Sequence, residues 1–112
     1  MDIGQAVKWL KAGHAVTRDG WNGKNMFLVL NGGYSVPYDK LRNTVVPVTN
    51  QLTPIDAKFL KSVDKTELEI LPHIDMWTAT KQLCVGWLAS QTDLLADDWR
   101  IFGTSDEEKK HD

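Results

Sequence analysis

A chain of 112 residues has room for one hydrophobic core, because a domain of this size buries only about two-thirds of its unfolded surface. An enclosed cavity of ligand size would compete with that core, so a sizeable binding site is expected at a subunit interface. The sequence therefore predicts one domain over residues 1–103, with the polar, charged stretch 104–112 as a flexible tail.

Within the domain the apolar period changes type several times. Ile3, Ala6, Val7 and Leu10 follow helical spacing from an Asp2 cap, and Gly13 is the stop signal. His14 to Arg18 reads as a strand, Asp19-Gly20 as a turn, and Met26 to Leu30 as a continuous apolar strand. Asn31-Gly32-Gly33 predicts a hairpin whose return strand is Tyr34-Ser35-Val36, ended by Pro37. Thr53 as cap and Pro54 as first helical residue predict a second, inserted helix carrying Ile55, Ala57, Phe59, Leu60 and Val63.

Further along, Glu67 to Met76 alternates around Pro72 and is expected to pair with Leu83 to Trp87. Ser90 opens a third helical pattern, with Asp93 as the acidic partner of a capping box and Leu94, Leu95 and Trp99 following at helical spacing. The predicted fold is α+β: a small antiparallel β-sheet wrapped around a central C-terminal helix, with an N-terminal helix and the inserted short helix.

Charge narrows the function. A formal net charge of -2 and a pI near 5.9 remove the basic footprint of a general DNA or RNA binder, whose affinity rests on neutralising phosphates. Any bound anion must be held locally. The lone Cys84 has no internal disulfide partner, and its place in Leu83-Cys84-Val85 predicts a buried thiol in an intracellular chain. The first residues lack the basic and apolar regions of a signal peptide, and no stretch reaches the roughly 18 apolar residues of a membrane span.

The residues offer little for catalysis. His14, His73 and Cys84 are scattered without metal-ligand spacing, and His111 lies in the expected tail. His73 and Asp75 would share one face of a strand, as a general base and its orienting carboxylate or as a pair that fixes a sheet edge. With no nucleophile beside them, the second reading is favoured. Asp93, Asp97 and Asp98 read as helix capping and a solvated face.

Five tryptophans are many for such a chain. Trp9 and Trp99 are assigned to core or interface packing. Trp21 sits in Arg18-Asp19-Gly20-Trp21-Asn22-Gly23-Lys24, where its indole can stack on a base while glycine backbone, Arg18 and Lys24 approach phosphate or ribose. The alternative is an ordinary turn with Trp21 folded back over the sheet. Trp77, after Asp75-Met76, poses the same choice. Ser90-Gln91-Thr92-Asp93, after Trp87, offers donors suited to ribose hydroxyls or a base amine, or serves as a helix cap alone.

Three stretches together, Arg18-x-Gly20-Trp21-Asn22-Gly23-Lys24, Pro72-His73-Ile74-Asp75-Met76 and Gly86-Trp87-Leu88-Ala89-Ser90-Gln91-Thr92-Asp93-Leu94-Leu95-Ala96-x-Asp98-Trp99, resemble the second family of Thoeris anti-defence proteins. The likeness spans Met1 to about Phe102. It implies a homotetrameric, non-catalytic phage protein without cofactor or metal, acting in the cytoplasm of the infected bacterial host. Its ligand would be a glycocyclic ADP-ribose made by a TIR-domain enzyme and held intact in interface pockets, with cyclic di- or trinucleotides captured by some members at separate sites. On that resemblance the ligand-binding candidates are Trp21, then Asn22, Gly23 and Met26, then Trp87, Ser90, Gln91 and Asp93, with Asp75 and Trp77 last.

The chain departs from the family pattern in a longer Val48 to Asp64 segment, in the charged tail, and in Trp77, which stands where a polar residue is expected. An added helix or aromatic there would reshape one pocket wall. Two other readings remain open: an enzyme cleaving a cyclic nucleotide signal, and a protein-interaction or virion-associated module using tryptophan anchors.

Overall fold

The computed structural model describes residues 1–22, 24–37, 39–40 and 55–103. In chain order these form α1 (Ile3–Lys11), β1 (Val16–Arg18), a 3-10 turn (Asp19–Trp21), β2 (Phe27–Asn31), β3 (Tyr34–Pro37), α2 (Ala57–Ser62), β4 (Glu67–Ile70), β5 (His73–Trp77), β6 (Leu83–Cys84), α3 (Gln91–Leu95) and β7 (Trp99–Ile101). The class is the predicted one, α+β with antiparallel pairing and three helices. The expected tail, 104–112, lies outside the described residues.

The elements fall into two compact units, Met1–Asn31 with His73–Asp112, and Gly32–Pro72. In the first, five strands pair in the order β6-β5-β2-β1-β7. Helix α1 begins where the sequence places it. The Asp2 carboxylate accepts the Gln5 N–H at 2.9 Å and the Gln5 side chain accepts the Asp2 N–H at 3.1 Å, so two orphan donors are satisfied reciprocally. The helix closes at Ala12, with Gly13 at φ 96° just beyond. Its apolar stripe buries Ala6 and Leu10 against Val16, Leu28 and Trp99, and Leu30, Ile74 and Met76 pack around them. Trp99, assigned to packing, is 2% exposed, whereas Trp9 is 40% exposed and meets His14 edge-on at 5.1 Å.

The predicted hairpin between β2 and Tyr34–Pro37 does not form. Strand β2 pairs with β5, setting Leu28 opposite Met76 and Asn31 opposite His73, while β3 pairs with β4 in the second unit, Val36 opposite Leu68. A continuous apolar run such as Phe27–Leu30 suits a strand with neighbours on both sides, and β2 has them in β1 and β5. Gly33 is a crossing point rather than a hairpin turn. At φ 87°, a Cβ there would lie 2.7 Å from the Ile70 carbonyl oxygen.

The second unit has its own small core of Val36 and Leu60, with Leu68 and Ile70 packed on it. Helix α2 starts later than expected: Asp56 is its cap, accepting the Phe59 N–H at 2.8 Å, and the predicted Thr53 and Pro54 start falls outside the described residues.

Expected pairing of the strand after Pro72 with the Leu83 run is found, Met76 opposite Cys84 and Trp77 opposite Leu83. The C-terminal helix is shorter than its periodicity predicts. It ends at Leu95, Ala96 is extended at ψ 147°, and Trp99 lies on β7 opposite Arg18. Asp98 is drawn toward Arg18 of β1, and the Trp99 N–H is taken by the Met1 carbonyl at 3.0 Å, so the chain leaves the helix to join the sheet. Cys84, expected buried, is exposed, because β6 is a two-residue edge strand.

Candidate functional site

Three tryptophans meet in the first unit. Trp21 contacts Trp99 edge-to-face at 5.4 Å, and Trp87 contacts the same ring edge-to-face at 6.1 Å. Trp99 is fixed from below by its indole N–H, which donates to the Asp93 carbonyl at 3.0 Å. Trp21 and Trp87 remain partly exposed around it.

Asp93 ties this aromatic group to the backbone around it. Its Oδ1 accepts from Arg18 Nη1 at 2.7 Å and from the Trp21 indole N–H at 3.3 Å, and its Oδ2 accepts the Ser90 N–H at 3.3 Å. The Ser90 hydroxyl oxygen accepts the Asp93 N–H at 3.1 Å, completing the predicted capping box. Arg18 also binds Asp98 through Nε at 2.8 Å, and the Gly20 N–H donates to Asp98 Oδ2 at 2.7 Å.

The electrostatics follow from these contacts. Asp98, hydrogen-bonded by Arg18, is held below the usual carboxylate range. Burial pushes Asp93 up, but the Arg18, Ser90 and Trp21 donors outweigh it and the group also sits low. Arg18 is raised, chiefly by its bond to Asp98. Both acids are thus held ionised, unsuited to giving up a proton near neutral pH.

The structure therefore corrects two assignments. Arg18, read as local positive charge for an anion, is committed to two carboxylates that leave this cluster with an excess negative charge. Asp98, read as part of a solvated face, is a partner of the Trp21 turn. With its N–H engaged, Trp21 is folded against Trp99 and the core and remains partly exposed.

The remaining candidates are placed as follows. Asn22 is exposed and left-handed at φ 58°. Gly23 lies outside the described residues. Met26 is half-buried, and its carbonyl accepts the Thr17 hydroxyl at 2.6 Å. Gln91 is exposed in the first turn of α3. Asp75 is buried, accepting the Gly86 N–H at 3.0 Å and lying 3.3 Å from His73 Nε2. This pair sits on an interior strand rather than the predicted sheet edge, and its tie to Gly86 favours a structural role over acid–base work.

Trp77 is not brought to the Trp21 group. Its neighbour Met76 packs on the core, so by strand alternation Trp77 points to the other sheet face, stacked on Phe27 at 6.1 Å while Phe27 stacks on Phe102 at 4.5 Å.

Two surface cavities, of about 360 Å³ lined by Leu60 and Asp64 to Glu69, and about 340 Å³ beside Met1, Gln5, Lys8, Trp9 and Ala12, include none of the candidate residues. Among the described residues no group of three or more His, Cys, Asp or Glu is placed to hold a metal ion, and no helix is long and apolar enough to cross a membrane.

The arrangement groups partly exposed aromatic rings beside an exposed Gln91 side chain, while the Gly20, Asn22, Ser90 and Asp93 N–H groups are engaged within the protein. Comparison with known proteins bears on its family. A family model described as the Thoeris anti-defense 2-like domain matches residues 1–102. A curated relative named Thoeris anti-defense 2, from Bacillus phage SP01, is 33% identical over 101 residues, which cover 90% of this chain and 93% of that protein.

Proposed function

The chain belongs to the Thoeris anti-defense 2-like family, and from that premise we propose that it is a phage anti-defence protein that captures the Thoeris signal, glycocyclic ADP-ribose, without degrading it. The signal is thereby kept from its effector in the cytoplasm of the infected cell. The observation that carries this reading is the convergence of Trp21, Trp87 and Asp93 on Trp99, with Ser90 joined to them through Asp93. A base stacks on the exposed ring face of Trp21, while Asn22, Gly23, Met26, Ser90 and Gln91 border the ribose and phosphates. Asp75 and Trp77 belong to a second wall or to a separate site for cyclic di- or trinucleotides.

Assembly is part of the proposal. The segment from Leu83 to Leu95 exposes Leu83, Val85, Leu88 and Leu95, the last two by 93% and 84%, along and after the edge strand β6. Surfaces of this kind are usually covered by association. A homotetramer would cover them and border the ligand pocket with residues from more than one copy.

Titration of the purified protein with glycocyclic ADP-ribose tests the site. The wild type binds stoichiometrically, and Trp21→Ala, which removes a stacking contact worth about 1–3 kcal/mol, weakens binding by roughly tenfold or more with the fold retained by circular dichroism. Equal affinity in the two proteins rejects the Trp21 site.

A further inference from the structure

Asp98 lies outside the group of candidate ligand contacts, yet it holds the turn that carries Trp21. Its two oxygens take Arg18 Nε at 2.8 Å and the Gly20 N–H at 2.7 Å, and its carbonyl accepts the Asp19 N–H at 3.3 Å. Gly20 is shaped to this contact. A Cβ there would stand 2.9 Å from Asp98 Oδ2 and 2.9 Å from Arg18 Nη2, so a larger residue would require these two side-chain ends to shift.

Arg18 carries the connection onward. Its Nη1 binds the same Asp93 oxygen that receives the Trp21 indole N–H, and the other Asp93 oxygen receives the Ser90 N–H. A continuous chain of charge-assisted hydrogen bonds therefore runs from Asp98 through Arg18 and Asp93 to Trp21 on one side and Ser90 on the other. Side-chain exposure is 11% for Arg18, 12% for Asp93 and 28% for Asp98, so water competes least for the Arg18–Asp93 bond.

We propose that Asp98 and Arg18 are positioning residues for signal capture, locking the Trp21 turn and the Ser90 helix start into one preorganised surface without touching the ligand. The proposal rests on the sequestration reading above. A turn that is already ordered loses little freedom on binding, whereas a released turn must be ordered by the ligand itself, which lowers affinity and speeds dissociation.

The test compares wild type, Trp21→Ala, Asp98→Asn and Leu60→Ala, titrated with glycocyclic ADP-ribose well below their melting temperatures. Leu60 is a core residue of the second unit, outside the cluster that holds Trp21, Trp87 and Trp99, and serves as a control for lost stability. Asp98→Asn is expected to weaken binding at least about tenfold through faster dissociation and to move the Trp21 indole N–H resonance in the ligand-free protein. Leu60→Ala lowers the melting temperature and leaves affinity unchanged. Asp98→Glu, which keeps the charge but displaces the carboxylate, recovers part of the affinity and replaces Asp98→Asn in the test should that variant fail to fold.

If the wild type binds and Trp21→Ala binds more weakly, while Asp98→Asn binds as the wild type does or loses no more than Leu60→Ala, the positioning role is overturned. If the wild type captures no signal, the sequestration reading fails and the positioning role with it. If Trp21→Ala binds as well as the wild type, capture lies elsewhere and Asp98 positions nothing for it.

Discussion

At the scale of the residue, Asp93 does most to decide how the candidate site is held. Its carboxylate receives Arg18, Trp21 and Ser90, so truncating it leaves Arg18 Nη1, the Trp21 indole N–H and the Ser90 N–H without this acceptor, while Arg18 stays paired with Asp98. Asp93→Ala should cost about 1–3 kcal/mol, as leaving buried donors unsatisfied typically does, since Arg18 keeps Asp98 as its ion-pair partner; the loss is read as a lower urea midpoint. Acid should act in the same direction. Asp93 and Asp98 both have folded pKa values below their ordinary ones, so their contribution is complete above the unfolded value of about 3.9 and is lost as pH falls through the folded values. The urea midpoint of the wild type should therefore fall below about pH 5, less steeply in Asp93→Ala; a midpoint that rises on acidification contradicts the ion-pair assignment.

At the scale of the element, local chemistry is readable, and partnership is readable only between neighbours in sequence such as β5 and β6. Helix α1 is specified by residues within it, Asp2 and Gln5 at one end and Gly13 at the other. Asp2→Ala should accordingly lower stability by about 1 kcal/mol, measured by thermal melting, and an unchanged melt would show that the cap contributes nothing. Strand β2 was legible from its apolar run, but its partner β5 lies more than forty residues away, and a glycine-rich connection to β3 looked like a hairpin. The spacing from Leu95 to Trp99 fits one helical turn equally well when the chain leaves the helix, and only Arg18, from another element, shows why it does. Arg18 beside a turn suggests charge for a ligand and Asp98 in an acidic run suggests a solvated face, and only their contact across eighty residues shows that each holds the other. Cys84 sits in an apolar run that suggests burial, and its edge-strand position is a property of the sheet. By contrast, the Ser90–Asp93 box was visible because both members are local.

At the scale of the whole molecule, a chain with one small core per unit has little interior to spare for a ligand, and the proposed self-association would rest on the exposed apolar residues from Leu83 to Leu95. Leu88 is 93% exposed, so Leu88→Glu should leave the circular dichroism spectrum unchanged while shifting the oligomer toward smaller species in size-exclusion chromatography with light scattering. No shift would place the interface elsewhere. The family places the protein in the contest between phage and Thoeris defence, and the central claim is that it wins that contest by holding the signal intact. The direct measurement is to incubate the protein with a signal-containing lysate, remove free small molecules by filtration, denature the protein by heat, and assay the released material by mass and by effector activation. Sequestration predicts that unaltered glycocyclic ADP-ribose returns in proportion to the protein added, and from Trp21→Ala hardly at all. Recovery of a cleaved product, or of no nucleotide from the wild type, contradicts it.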